Sequence, residues 1–347
     1  MDRLMKSARL LADGHSLDLV EEDVPSLRSG EILVKVRASA ICGSDLRILR
    51  GKKKAAAGVT LGHELSGEVV EMAGKAAGIA IGDRVTIYPC MVCGQCYYCV
   101  HGYSNLCVAK KTLGYAMDGG FSEYIRIPAT LVERGAVVPL PLALSYDEGA
   151  LIEPFSCCLS SLRISQIAEG SRVLIIGGGS MGLMHVLALK GLHGAGIIIS
   201  DPIVGRRELA SRLGAEIAID PQRDDLKTLV LDYTEGVGVD ACIVTVGIPR
   251  IIEPCLGIIR KRGILNLFAG GAGTRIGIDP DLVHYGELII TGTHSTTLSQ
   301  FRETVGVVES NSIPLTELIT HRFSLDEIQL AFDVYGKNEG IKVVIHP

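Results

Sequence analysis

The chain contains no tryptophan, and aromatic residues of all kinds make up 5% of it. An apolar funnel walled by rings has few residues to be built from, which favours a polar ligand over an apolar one. A surplus of positive charge is missing too: 34 Lys and Arg stand against 39 Asp and Glu, a net charge of −5. That balance leaves no electrostatic footprint for nucleic acid or an anionic membrane, and the lysines at 52–54 are too short a run to supply one; they read as a solvated loop. Nor does any uninterrupted apolar run reach the roughly eighteen residues a spanning helix needs. The opening MDRLMKSARLLADG carries Asp2, Arg3, Lys6 and Arg9 and no signal-type apolar core. A cytoplasmic location is expected.

What is present describes a well-packed globular protein. Hydrophobic residues at 47% and charged residues at 21% exclude disorder, and 347 residues exceed the size at which a single core stops growing, so two domains are expected. Glycine, 41 residues or about 12% of the chain, exceeds its average share of about 7% and implies many close backbone approaches. There are ten cysteines, five of them between 90 and 107. In a chain whose thiols stay reduced, that clustering speaks for metal rather than disulfides.

CGSD at 42–45 and GHELSG at 62–67 bring a thiolate, an imidazole and a carboxylate from two chain segments. This is the donor set of a zinc site not closed by four cysteines. Cys42 and His63 are expected to bind zinc, with Glu64 a third ligand or just beside the metal and one position left for water or a substrate oxygen. Asp45 is placed to accept the other ring N–H of His63. Glycines 43, 62 and 67 would let the backbone crowd the ion.

A second pattern is tighter. Cys93, Cys96, Cys99 and Cys107 follow C-x2-C-x2-C-x7-C within a turn-rich segment, matching a closed tetrahedral zinc site. An iron–sulfur cluster is the alternative that thiolates alone leave open. Cys90 reads as an unligated buried thiol. Around this lobe EILVKVRAS at 31–39, GEVVEM at 67–72, DRVTIY at 83–88 and GGFSEYIRIP at 119–128 read as strands of a compact β-rich, barrel-like domain.

Near residue 150 the pattern changes to strands alternating with helices. An apolar run at 172–176 leads into Gly177, Gly179 and Gly182 as G-x-G-x-x-G, a helix follows, and GIIIS at 196–200 ends in Asp201, nineteen residues past Gly182. A pyrophosphate is expected on the helix N-terminus and the ribose hydroxyls on Asp201, whose charge repels a 2′-phosphate and so favours NAD over NADP. Arg206 and Arg207 either stack on the adenine or cover a helix face. Later apolar runs at 239–247, 262–270 and 287–295 fit a parallel doubly wound sheet. The terminal KVVIHP can pair back with the first domain, making the cofactor domain an insertion: 1–152 and 295–347 for the catalytic domain, 153–294 for the nucleotide-binding one.

Taken together, CGSD, GHE-x-x-G, GDRV at 82–85, the cysteine lobe, DGGFSEY at 118–124 and GGGSMG at 177–182 resemble the zinc-containing medium-chain dehydrogenase/reductase family over nearly the whole chain. The resemblance implies an α/β architecture with a GroES-like β-barrel catalytic domain and an inserted Rossmann domain, two Zn²⁺ per chain, NAD, and hydride passing across the cleft between domains. It also implies a homodimer or homotetramer. Glu153 in LIEPFS resembles the polyol branch, typified by sorbitol or iditol dehydrogenase, and would join Cys42, His63 and Glu64 at the catalytic zinc, directly or through water. Cys157 and Cys158 beside it are expected to be packed thiols. Ser44 would take the proton of a secondary alcohol on a polyol-like substrate, with Glu64 and Glu153 also in the catalytic set.

Where the family often places a relaying histidine, this chain has Arg47, whose guanidinium cannot act as an acid–base relay. The next carrier after Ser44 would be water, a cofactor hydroxyl or Glu153, and Arg47 is free to hold an anion, the cofactor pyrophosphate before the substrate. An L-threonine 3-dehydrogenase resembles the pattern almost equally. A non-enzymatic zinc-binding structural protein is the rival from another class, disfavoured by the open-site donors and the glycine fingerprint.

Overall fold

A computed structural model describes residues 4–271, 273 and 275–347. The chain divides into two compact units, Met1–Pro154 with Thr296–Ser310 and Leu315–Pro347, and Phe155–Ser295 with Asn311–Pro314. The division falls inside the long helix Tyr146–Ile164, directly after Pro154. The boundary expected after residue 152 thus lies two residues early, and Glu153 belongs to the first unit with Cys42 and His63.

In the first unit a seven-stranded sheet is organised around Ile32–Ala40, nearly all of it buried. Glu64–Met72 and Tyr124–Ile127 pair with it antiparallel, and so does the terminal strand Lys342–His346. Ala40 stands opposite Glu64 on one side and Val344 on the other, so two distant segments meet at the end of this strand. Gly67 is required there, because a Cβ would come within 2.2 Å of the Lys35 carbonyl. Its role is strand contact rather than room for an ion. A separate core of Leu10, Ile41, Ile48, Leu61, Phe121 and Phe332, among others, closes the same unit.

The second unit carries a six-stranded sheet in the order Ile217–Ile219, Gly196–Ser200, Arg172–Ile176, Val239–Val244, Ile259–Leu267, Ile289–Gly292, with every pairing parallel. The continuous apolar runs follow from strands covered on both faces. Helix Ser180–His193 leaves the strand Arg172–Ile176 through the glycine turn. A Cβ on Gly182 would meet the Gly177 carbonyl oxygen at 1.8 Å, so only glycine lets helix and strand approach this closely.

Candidate active site and metal centres

Cys42 ends the loop after Ile32–Ala40 and caps the short helix Gly43–Leu49. Asp45 folds back to accept the Cys42 backbone N–H at 3.0 Å, which fixes the thiol's direction. His63 and Glu64 open the neighbouring strand. The result is a group in which one ligand atom each from Cys42, His63 and Glu64 lie within 4.8 Å of one another.

The chemistry of this group fits a cation. Glu64 is fully buried, and its Oε1 has no hydrogen-bond partner among the described residues, while Oε2 is held by the Lys342 ammonium. Burial alone would push the His63 imidazole down, but the negative charges of Asp45 and Cys42 outweigh it and hold it well above its usual value. Positive charge is therefore favoured where the ring meets the thiol. Nδ1 of His63 faces Asp45 Oδ1 at 3.4 Å, near enough for charge attraction but without hydrogen-bond geometry, so the hydrogen bond expected from Asp45 is not formed among the described residues.

Ser44 donates to Cys42 Sγ at 3.1 Å and lies 2.5 Å from the hydroxyl of Tyr115. Tyr115 also reaches His63 Nε2 at 3.3 Å, with the two ring centroids 5.0 Å apart. Burial, then the charges of Asp45 and Cys42, hold this phenol well above the ordinary tyrosine range, so it is a neutral hydroxyl. Lys53 places its ammonium over the same ring, 3.6 Å from the centroid. It is partly buried, whereas Lys52 and Lys54 are exposed, so the lysine run is not uniformly solvated.

Glu153, 9% exposed on its helix, stands outside the three-residue group, although its charge acts on both Tyr115 and Cys90. Cys157 and Cys158 are buried on the following turn. Arg47 is exposed on the short helix.

In the lobe, Cys93, Cys96, Cys99 and Cys107 form a second group of ligand atoms within 4.8 Å of one another. Cys93 Sγ is 3.5 Å from Cys107 Sγ and 4.0 Å from Cys99 Sγ. Four sulfurs at about 2.3 Å from one tetrahedral ion lie about 3.8 Å apart, so the spacing suits zinc. Backbone N–H groups of Val108 and Cys99 hold the Cys96 thiol down at about 6, readying it as a thiolate. Cys90 stays out of the group: it is buried, 3.8 Å from Thr112 Oγ1, and burial pushes its thiol up.

In the second unit Gly177, Gly179 and Gly182 line the turn into helix Ser180–His193, and Asp201 closes it. Asp201 accepts the backbone N–H of Gly178 at 2.7 Å and of Ile203 at 2.8 Å. Arg206 packs beside it, 3.6 Å from Oδ2, and Arg207 donates to the Asp201 backbone carbonyl at 2.7 Å while pairing with Asp220 at 3.0 Å. Asp201 therefore also braces the glycine loop.

Three residues escaped the reading of the sequence. Tyr115 and Lys53 carry no spacing signal, because only the fold brings Tyr115 to Ser44 and Lys53 over the Tyr115 ring. Lys342 did leave a trace, as the charged residue of an otherwise apolar terminal strand.

The comparisons agree with this geometry. Residues 28–141 match the alcohol dehydrogenase GroES-like domain and residues 180–310 the zinc-binding dehydrogenase domain. The chain is 33% identical to an L-threonine 3-dehydrogenase from Pyrococcus horikoshii across 95% of both chains. It is 29% identical to a sorbitol dehydrogenase from Halalkalibacterium halodurans across 94% of both. A Sinorhizobium meliloti protein assigned as a zinc-binding dehydrogenase and crystallised with NADP superposes with a TM-score of 0.93 at 31% identity, covering 99% of this chain and 100% of that one. With both domains matched in order and both donor groups assembled, the chain belongs to the zinc-containing medium-chain dehydrogenase family.

Proposed function

We propose that the protein oxidises a secondary alcohol on a small, polar, polyol-like molecule with NAD as hydride acceptor. The observation that carries this reading is the convergence of Cys42, His63 and Glu64 beside the paired hydroxyls of Ser44 and Tyr115. Cys42, His63 and Glu64, with Glu153 as a further carboxylate, would hold the catalytic zinc, and the four lobe cysteines the structural one. Bound there, zinc supplies the Lewis acidity that lowers the pKa of a hydroxyl, and NAD supplies the hydride acceptor.

The chain's own residues handle the proton. Ser44 receives it from the substrate hydroxyl and gives its own to Tyr115, 2.5 Å away. Because the phenol is held neutral, Tyr115 accepts this proton as it releases its own to solvent water. Arg47 takes no part in this transfer, since a guanidinium stays charged. Asp201 favours NAD through the repulsion its carboxylate offers a 2′-phosphate.

A second reading, oxidation of a 3-hydroxy amino acid, is supported by the likeness to L-threonine 3-dehydrogenase. Reduction of NAD and NADP across free polyols, phosphorylated polyols, cyclitols and amino alcohols tests both. No reduction with any of them, in a protein holding one zinc per chain, would point instead to a structural zinc protein.

A further inference from the structure

Lys53 sits where a charge is costly and unmatched. Its ammonium is partly buried over the Tyr115 ring, and among the described residues no carboxylate lies within ion-pair distance of it. The loop is held in place: Lys53 N–H donates to the Arg47 carbonyl at 3.2 Å, and Ala56 N–H to the Tyr115 carbonyl at 2.7 Å. Burial pushes Lys53 down from the usual lysine value; the charges of Cys42 and then Asp45 oppose this, and the cations of Arg47 and Lys110 add smaller downward pushes. Those two opposing charges are already committed. Asp45 is tied to the Cys42 N–H and faces His63, and Cys42 belongs to the metal-binding group. With those two charges committed, a partly buried ammonium that has no ion-pair partner of its own among the described residues is stabilised by an anion from outside.

We propose that Lys53 is an anion subsite beside the reacting centre, and that the substrate is a secondary alcohol bearing a carboxylate or a phosphate near the reacting hydroxyl. This rests on the dehydrogenase reading and narrows it, because Tyr115 joins the two functions: its face carries the ammonium and its hydroxyl meets Ser44. The cation–π contact is stronger at a partly desolvated site than at an exposed one, but it brings no opposite charge to the ammonium. Substrate charge supplies the remainder.

The test compares kcat/KM for matched pairs, a neutral polyol against its hydroxy-acid and its phosphate monoester, in the zinc-loaded enzyme. In Lys53→Met the preference for the anionic member is expected to fall about ten- to a hundredfold, and Lys53→Arg to restore most of it. Whichever acid shows the larger fall identifies the anion. Lys54→Met, exposed and one residue on, is expected to leave the preference in place. An unchanged preference in Lys53→Met overturns the proposal. So does an equal fall in Lys54→Met, which reports a diffuse field, or a rise confined to the KM for NAD, which assigns the cation to the cofactor. Should no alcohol reduce NAD or NADP, the dehydrogenase reading fails by itself, and calorimetry with inorganic phosphate and with acetate still decides the subsite. Equal binding by the parent protein and Lys53→Met then refutes it, and binding lost in the variant supports it.

Discussion

The ammonium of Lys342, on the last strand, is fully buried against the carboxylate of Glu64, on the strand two places away in the same sheet. Burial alone would lower the lysine, but Glu64, and then Cys42, outweigh it and hold the charge in place. The ion pair takes Glu64 Oε2 and leaves Oε1 for the metal-binding group, so the lysine fixes which oxygen is available. Removing one partner of such a pair leaves an uncompensated charge. Lys342→Met is expected to lose about 3–5 kcal/mol of stability, and the double variant with Glu64→Gln to recover part of it. Equilibrium unfolding with metal analysis decides this, and a single variant as stable as the parent would remove the pair from the account.

The two cysteine groups should separate on mutation. Cys96→Ser opens a closed four-thiol site, so one zinc per chain and a lowered melting temperature are expected. Cys42→Ser should fold with the lobe zinc retained and lose turnover. Near-normal kcat in Cys42→Ser would move the catalytic centre elsewhere.

Tyr115→Phe keeps the ring beneath Lys53 and against His63 but deletes the hydroxyl next to Ser44. Loss of a positioned proton carrier lowers kcat by about a hundredfold or more. KM for the alcohol should move far less. A kcat equal to the parent's would send the proton out by water or by Glu153.

These tests bear on residues of unequal visibility in the sequence. Cys42, His63, Glu64 and the lobe cysteines could be read because metal chemistry restricts residue type and local spacing, and Gly182 because a helix cannot approach the Gly177 carbonyl with any Cβ present. The strands around residues 32–40 and 172–176 were legible from their apolar runs. Tyr115 and Lys53 were not, since their roles arise from a contact between residues 62 positions apart and no local pattern encodes it. The lysine run looked like a surface loop because sequence cannot tell which of three neighbouring side chains turns inward. Helix Tyr146–Ile164 likewise concealed the domain boundary by running through it.

Asp201 braces the glycine loop, and on the reading proposed above it also sets the cofactor preference, so one substitution should expose both. Asp201→Ser removes the charge proposed to repel a 2′-phosphate, so the NAD/NADP ratio of kcat/KM should fall at least about tenfold, roughly 1.4 kcal/mol. It also strips acceptors from the Gly178 and Ile203 N–H groups, at a cost of about 1–3 kcal/mol in stability. Altered stability with an unchanged cofactor ratio would leave Asp201 a purely structural brace.

His185 offers a pH dependence that needs no ligand. It is fully buried on helix Ser180–His193, with Nδ1 donating to the Met181 carbonyl at 2.7 Å and the ring set edge-on to Phe268. Burial lowers its pKa from the usual 6.5 to about 4, the Met181 contact opposing only in part. Between those values the unfolded chain binds a proton that the folded one does not, so stability is complete above pH 6.5 and declines as pH falls toward 4. The loss amounts to about 3 kcal/mol, with none added below the folded pKa. In His185→Leu that contribution should vanish, so the stability gap between parent and variant should narrow on acidification. Carboxylate protonation and metal release affect both proteins alike and cancel in the difference. Parallel stability curves from pH 7 to about 4 would show that the imidazole is protonated in the folded core or reached by water.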